Sequence, residues 1–274
     1  MIGHMTQSVT RTFGSAGSTQ VRKLRVMSFN IAHGLGMDGK VDLRRTAEVI
    51  RSSGADIIGL QEVDNHFSER SGFENQAAVL AKWLEMDYSY GPNLIEPPVQ
   101  PGHPERQYGN ALLSRFPVKY SKNHAYARPS SLVEDPEPRG LLESIIDLDG
   151  TFLSFFNTHL SLGEEGQREN LKQLLEITDA SLFPTIITGD FNLSPEHPQL
   201  RDFGKAYTDT FGSTGMGTAY TFPARYEDAG SAVCTEPSSR IDYIFTDQTT
   251  IIERTEVLDT PAADHLPIIA DLLI

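Results

Sequence analysis

Short apolar runs alternate with amphipathic stretches along most of the chain. Leu24, Val26, Phe29 and Ile31 outline a first buried strand, and 56–60 reads as a second. Between them Leu43, Ala47 and Ile50 recur at helical spacing. Asp42 is placed to cap that helix, since a carboxylate there can accept from the first unpaired N–H groups, and Gly54 is placed to end it. Ala77, Leu80, Ala81 and Leu84 predict a second helix; Leu171, Leu174, Leu175 and Thr178 predict a third. Further strands are predicted over 111–113, 141–148, 152–157, 186–187, 241–245 and 268–273. Three intervals, 91–108, 123–139 and 211–239, read as loops too long for simple connections, which makes them candidates for substrate recognition. Strands and helices mix without an intervening linker, a pattern that predicts two packed sheets with helices outside, in one domain over 23–274. Residues 1–22, rich in Gly, Ser and Thr and lacking periodicity, are expected to form a tail.

The polar residues that end these apolar runs are not random. Ser28-Phe29-Asn30, Leu60-Gln61-Glu62, Asn157-Thr158-His159, Gly189-Asp190-Phe191-Asn192, Ile241-Asp242-Tyr243 and Ala263-Asp264-His265 each deliver an acid, an amide or an imidazole. Read singly, each has a bland structural explanation: a solvated acid, a turn, a satisfied core histidine. Read together, they predict one metal-dependent hydrolytic site built from distant segments. Glu62 at the end of a buried run suits a hard cation such as Mg²⁺, which takes oxygen ligands. Asn30 can cap a turn or stand beside the same metal; His33 is a weaker candidate nearby. Asp264 and His265 offer an acid for metal and an imidazole for a phosphoryl oxygen or a proton, with Asp242 the natural group to orient that ring. Asp190 can align or deprotonate a water that Asn192 holds, His159 adds a second imidazole, and Asn110 another amide.

Charge narrows the substrate. The net charge of −14 argues against a general grip on long nucleic acid, but a metal and a few arginines still permit a small phosphate ester. Cys234 is the only cysteine, so an intramolecular disulfide is impossible. The chain shows neither an apolar run near the ~20 residues that span a bilayer nor a signal-peptide pattern, so a cytoplasmic protein without a transmembrane segment is expected.

These motifs, in this order, resemble the endonuclease/exonuclease/phosphatase superfamily, the deoxyribonuclease I-like metal-dependent phosphoesterases. The resemblance runs from about residue 24 to 274 and includes Gly109-Asn110-Ala111-Leu112-Leu113-Ser114-Arg115 and Arg240-Ile241-Asp242-Tyr243. It implies a four-layer α/β sandwich, two mixed sheets flanked by helices. It also implies a Mg²⁺ site at Glu62 with Asn30 and Asp264, where Mn²⁺ can substitute. Asp190 and Asn192 then activate water. His265 paired with Asp242 meets the scissile phosphate, His159 lies near it, and Asn110 and Arg139 bind phosphate. Two positions depart from the pattern. Ala263 replaces a common serine, which removes one hydroxyl. Ala32 stands where some nucleases carry an acid, which weakens the nuclease analogy. The expected activity is hydrolysis of a small or lipid-derived phosphate ester, with no protein partner implied. The alternatives are a nuclease, for which Arg106, Arg115, Arg128, Arg139, Arg225 and Arg240 would have to line a basic groove, and an inactive binding module of the same fold.

Overall fold

A computed structural model describes residues 21–127, 137–227 and 234–274. In chain order the elements are β1 (Lys23–Asn30), α1 (Leu43–Ser53), β2 (Ile57–Asn65), α2 (Gln76–Leu84), β3 (Asp87–Glu96), β4 (Arg106–Ser114) and β5 (Val118–Ala125). There follow β6 (Gly140–Leu148), β7 (Thr151–His159), α3 (Glu164–Thr178), β8 (Thr185–Asp190), α4 (Pro198–Phe203), β9 (Thr208–Asp209) and α5 (Thr210–Ser213). The last are β10 (Tyr226–Glu227), β11 (Cys234–Thr235), β12 (Asp242–Thr246), β13 (Ile251–Val257) and β14 (Ile268–Leu273).

Two six-stranded mixed sheets carry the fold, in the orders β13-β14-β1-β2-β4-β3 and β5-β6-β7-β8-β12-β9. Pleating sends alternate residues to opposite faces, and both faces of each sheet are covered. From the first sheet, Met27, Phe29, Ile58 and Leu60 meet Leu43, Ala47 and Ile50 of α1 and Ala77 and Leu80 of α2. Their neighbours Leu24, Val26, Ile57 and Leu112 face the second sheet, where they meet Phe155, Ile186 and Ile244. The outer face of that sheet, with Phe156, Ile187, Tyr243 and Phe245, packs on Leu171 and Leu174 of α3 and Leu200 and Phe203 of α4. The result is helix, sheet, sheet, helix: the four-layer α/β sandwich expected from the sequence. Asp42 caps α1 through Arg44 N and Arg45 N, and Gly54 ends it in the left-handed region at φ 67°.

Several boundaries move. Half of the interval 91–108 is strand: β3 and β4 pair across it, which leaves 97–105 as a loop. β3, β5 and β13 alternate too weakly to stand out as apolar runs, and each is half exposed. Of the interval 123–139, residues 128–136 lie outside the described set, as do 228–233 of the third. β2 continues five residues past Leu60. Arg22, expected in the tail, exchanges backbone hydrogen bonds with Ile274 at 2.8 and 3.0 Å. No helix among the described residues is long and apolar enough to cross a membrane.

Candidate active site

Topology gathers the polar positions at one edge. β1 and β2 run parallel, as do β7 and β8, so the ends of each pair lie side by side. β12 and β14 run antiparallel to their neighbours, so their beginnings arrive at that same edge. Register then makes a row across the second sheet: His159 pairs with Asp190, and Asp190 with Asp242. Asp242 thus starts a strand where the sequence had it inside one, and His265 lies in the turn before β14.

Glu62 reaches the site by a different route. It sits within β2, not at its end, at a bulge where two residues, Gln61 and Glu62, oppose one on β4. Leu60 and Val63 both face the helices, so the bulge places Gln61 and Glu62 together on the inter-sheet side. The left-handed backbone of Glu62, φ 59°, is what this re-aiming requires. Regular alternation would have pointed Glu62 into the helix layer.

Asp190 is the centre of the constellation. Its Oδ2 accepts from Asn30 Nδ2 at 3.1 Å and lies 3.3 Å from His159 Nε2 and 3.6 Å from His265 Nε2. Its Oδ1 accepts from the Asn192 backbone N–H at 3.0 Å. Asn192 takes φ 52° there, and its own Nδ2 donates to Leu160 O, so its side chain is anchored at one end. Burial, with the nearby Asp242, pushes the Asp190 carboxyl well above the usual carboxylate range, while His265 and the amide donors pull it back.

His265 Nδ1 lies 2.9 Å from Asp242 Oδ2. Burial opposes charge on this ring, yet Asp242 and Asp190 outweigh it and hold the pKa up at about 10. His265 is therefore an imidazolium at neutral pH, with Nδ1–H donating to Asp242. His159 goes the other way: burial first, then Arg139 and His265, drive it well below the ordinary histidine value. One edge thus carries a charged and a neutral imidazole, both aimed at one carboxylate oxygen.

Glu62 Oε1 accepts from Asn30 Nδ2 at 3.0 Å, so a single amide ties Glu62 to Asp190. Asn30 Oδ1 accepts from the Ala32 N–H. Asp264 stands at the solvent side. The low-dielectric wall behind it raises its pKa, His265 pulls it down, and Glu62 raises it again, so the two acids feel each other. The carboxylates suit a hard divalent cation: Glu62 and Asp264 are two mutually repelling oxygen donors at a half-buried edge, and the Asn30 amide orients the first of them. Asp190, Asp242 and His265 also bring ligand-type atoms within 4.8 Å of one another. In this cluster His265 Nδ1 faces Asp242 while Asp190 Oδ2 meets both imidazoles, an arrangement that also suits phosphate and proton handling.

The two expected phosphate binders are also placed here. Asn110 is buried opposite the bulge, with Nδ2 donating to Gly140 O at 3.3 Å and Oδ1 without a hydrogen-bond partner. Arg139 is buried, contacts Glu137 at 2.8 Å, and its charge is felt by His159. The other arginines of the postulated basic groove are held locally. Arg106 bonds Pro97 O, Arg115 bonds Ala55 O, and Arg225 pairs with Glu236 and Asp259. Arg240 forks onto Asp209, and Arg128 lies outside the described residues. His33, in a left-handed turn at φ 47°, is half-buried beside these acids.

Four supports escaped sequence reasoning. The Tyr108 hydroxyl lies beside Glu62: burial first, then the Glu62 charge, push its pKa up. Buried Asn157 donates to Leu60 O and Ala111 O of the first sheet and accepts from Gln61 Nε2, so it clamps the sheets directly beneath the site. Thr221 Oγ1 accepts from the Ile241 and Asp242 N–H groups. The Phe222 ring packs 4.8 Å from the His265 ring. This part of the interval 211–239 braces the His265–Asp242 pair. Asn157 had a readable signal: a carboxamide on the inter-sheet parity of a hydrophobic strand.

Comparison with known proteins identifies relatives of this fold. The sequence model described as "Endonuclease/Exonuclease/phosphatase family" matches residues 27–265. "Uncharacterized protein YbhP" of Escherichia coli K12 is 26% identical over 277 residues, covering 93% of this chain and 98% of its own. The crystal structure of an endonuclease/exonuclease/phosphatase from Beutenbergia cavernae superposes with a TM-score of 0.72 at 26% identity, over 92% of this chain and 71% of that one. A mannosyl-6-phosphatase, Bt3783 of Bacteroides thetaiotaomicron, superposes with a TM-score of 0.68 at 21% identity, over 92% of this chain and all (100%) of that one.

Proposed function

Because this chain belongs to the endonuclease/exonuclease/phosphatase family, and is a metal-dependent hydrolase of phosphate esters, we propose that it is a Mg²⁺-dependent phosphodiesterase or phosphatase acting on a small or lipid-derived ester. The observation that carries this reading is the convergence of Asn30, His159 and His265 on one oxygen of Asp190.

A phosphate ester resists hydrolysis because its anionic oxygens repel the nucleophile and its leaving alkoxide is poor. A site must supply charge, alignment and a proton acceptor. Glu62, with Asp264 and Asn30, would hold Mg²⁺, which when bound neutralises phosphate oxygens and the departing oxygen. Asp190 aligns water for in-line attack and accepts its proton; its raised pKa suits that task near neutral pH. Asn192 helps hold the water. His265, kept charged by Asp242, donates from Nε2 to a phosphoryl oxygen as negative charge grows there, and neutral His159 donates a second hydrogen bond. Asn110 and Arg139 steady the remaining oxygens. The local binding of the basic-groove arginines and the net charge of −14 both favour a compact ester over a long polyanion.

The test is a substrate panel with Mg²⁺, Mn²⁺ and Ca²⁺: nucleic acids, sphingomyelin, inositol phosphates and small diesters, beside an Asp190→Ala control. Chelator-sensitive hydrolysis of a small or lipid-derived ester, lost in the control, is expected. Turnover confined to nucleic acid would move the assignment to a nuclease.

A further inference from the structure

We propose that a cavity at the rim of the first sheet receives an aliphatic chain carried by the phosphate ester. This rests on the phosphoesterase reading above and names the substrate class for the same site.

The cavity has a volume of about 450 Å³ and lies where β2 gives way to 66–75 and where the 97–105 loop enters β4. Its relation to the active site follows from the pleat. Along β4, Leu112 faces the inter-sheet core, Asn110 bonds Gly140 of the second sheet, and the Tyr108 hydroxyl feels the charge of Glu62. Residues two apart share a face, so Arg106 continues that line. Arg106 lines the cavity, and on the partner strand so does His66, just beyond the Asn65–Gln107 pair. Four residues at about 3.3 Å each put the cavity ~13 Å from Asn110, on the face that carries the chemistry.

Its wall selects the occupant. Phe73, Val99 and Pro104 present hydrocarbon. Two of the polar groups beside them are turned to the protein: His66 Nδ1 lies 2.7 Å from Phe73 O, and Arg106 Nε donates to Pro97 O at 2.8 Å, with its guanidinium beside Glu96, while Gln100 and His103 stand exposed at the rim. What these side chains offer the cavity is largely their carbon. Glu69 in the same wall disfavours a second anionic group. Val99 is 55% exposed, so apolar surface stands open next to a site that handles anions. An amphiphile with a phosphate at one end and a hydrocarbon chain at the other matches both halves.

The test is calorimetric titration of methyl-, butyl- and decylphosphonate, each below its aggregation concentration, into the Mg²⁺-loaded protein. Turnover of bis(4-nitrophenyl) phosphate is measured in parallel. A short chain cannot span the gap, so methyl and butyl should bind alike. Each buried methylene is worth roughly fourfold in affinity, so decylphosphonate, whose end reaches the cavity, should bind about fourfold or more tighter. Val99→Asp, and separately Phe73→Ala, should erase that gain while leaving bis(4-nitrophenyl) phosphate turnover unchanged. Equal affinities across the series, or a gain that survives both substitutions, would overturn the proposal. A failure to hydrolyse any phosphate ester would instead strike the phosphoesterase reading, while the titration still reports on the cavity.

Discussion

The space between the two sheets has two ends made from the same strands. At one end Leu24, Val26, Ile57, Leu112, Phe155, Ile186 and Ile244 meet as hydrocarbon. At the other, the same faces of the same strands carry Asn30, Gln61, Asn110, Asn157, His159, Asp190 and Asp242, nearly all fully buried. Gly59 lies at the crossover, where an added Cβ would run into Thr188 Oγ1 and the Asn157 carboxamide. The apolar end is held by removal of surface from water and has no directional requirement. The polar end is held by mutual hydrogen bonds, and each group there is costly if left unpaired. The active site is thus the continuation of the core by other means, and its side chains gain their fixed positions from the packed sheets below.

If that contrast is right, damage at the polar end should separate activity from stability. The largest effect is expected for Asp190→Asn and His265→Ala. Each should lower turnover by about 10²–10⁴-fold, since general-base and charge-stabilising groups supply effects of that size. The folded circular dichroism spectrum should persist, and near-normal turnover in a folded Asp190→Asn protein would sink the assignment.

Asn157→Ala should show the opposite balance. It removes the clamp and leaves buried Leu60 O, Ala111 O and Gln61 without their partner, at a cost of roughly 1–3 kcal/mol for each group left unsatisfied. Urea unfolding reads this directly; an unchanged midpoint would show that the sheets do not need the clamp. Glu62→Gln should raise the Mg²⁺ concentration needed for half-maximal rate. Tyr108→Phe should do so more mildly, by about tenfold, because it only releases the carboxylate's orientation. An unaltered metal titration in Glu62→Gln would place the cation elsewhere.

The smallest expected change is in pH dependence. The active form needs Asp190 ionised and His265 protonated. Asp190 is held above the usual carboxylate range, so kcat/KM should rise with pH well beyond the point where an ordinary aspartate has titrated. His265, raised above its ordinary value, loses its proton only as pH climbs through about 10, so the rate should fall there. Asp242→Asn removes the group that favours the imidazolium, and the falling limb should move to lower pH. A limb that stays in place would detach His265 from Asp242.

Much of this was legible. Apolar periodicity fixed α1, α2 and α3 because their core-facing positions repeat cleanly, and Asp42 and Gly54 marked the limits of α1. Asn30, His159, Asp190, Asp242 and His265 meet at the edge that the topology assembles, since a polar residue bounding a buried run has few other reasons to be there. β3, β5 and β13 were not legible, because half-exposed strands alternate weakly and their pairing is set by neighbours distant in sequence. Tyr108 looked like an ordinary strand aromatic until β4 was laid beside the bulge.

Local sequence already records which chemical groups are present and that they adjoin buried runs: Asn30, Glu62, His159, Asp190, Asp242 and His265 are written in patterns of apolar and polar residues. How they face one another depends on packing between distant segments. The Glu62 bulge, the row of His159, Asp190 and Asp242, and the opposite protonation preferences of the two histidines all arise between segments far apart in the chain. Local patterning records whether a side chain is buried. Register, burial depth and the summed field of neighbouring charges exist only once the sheets have packed.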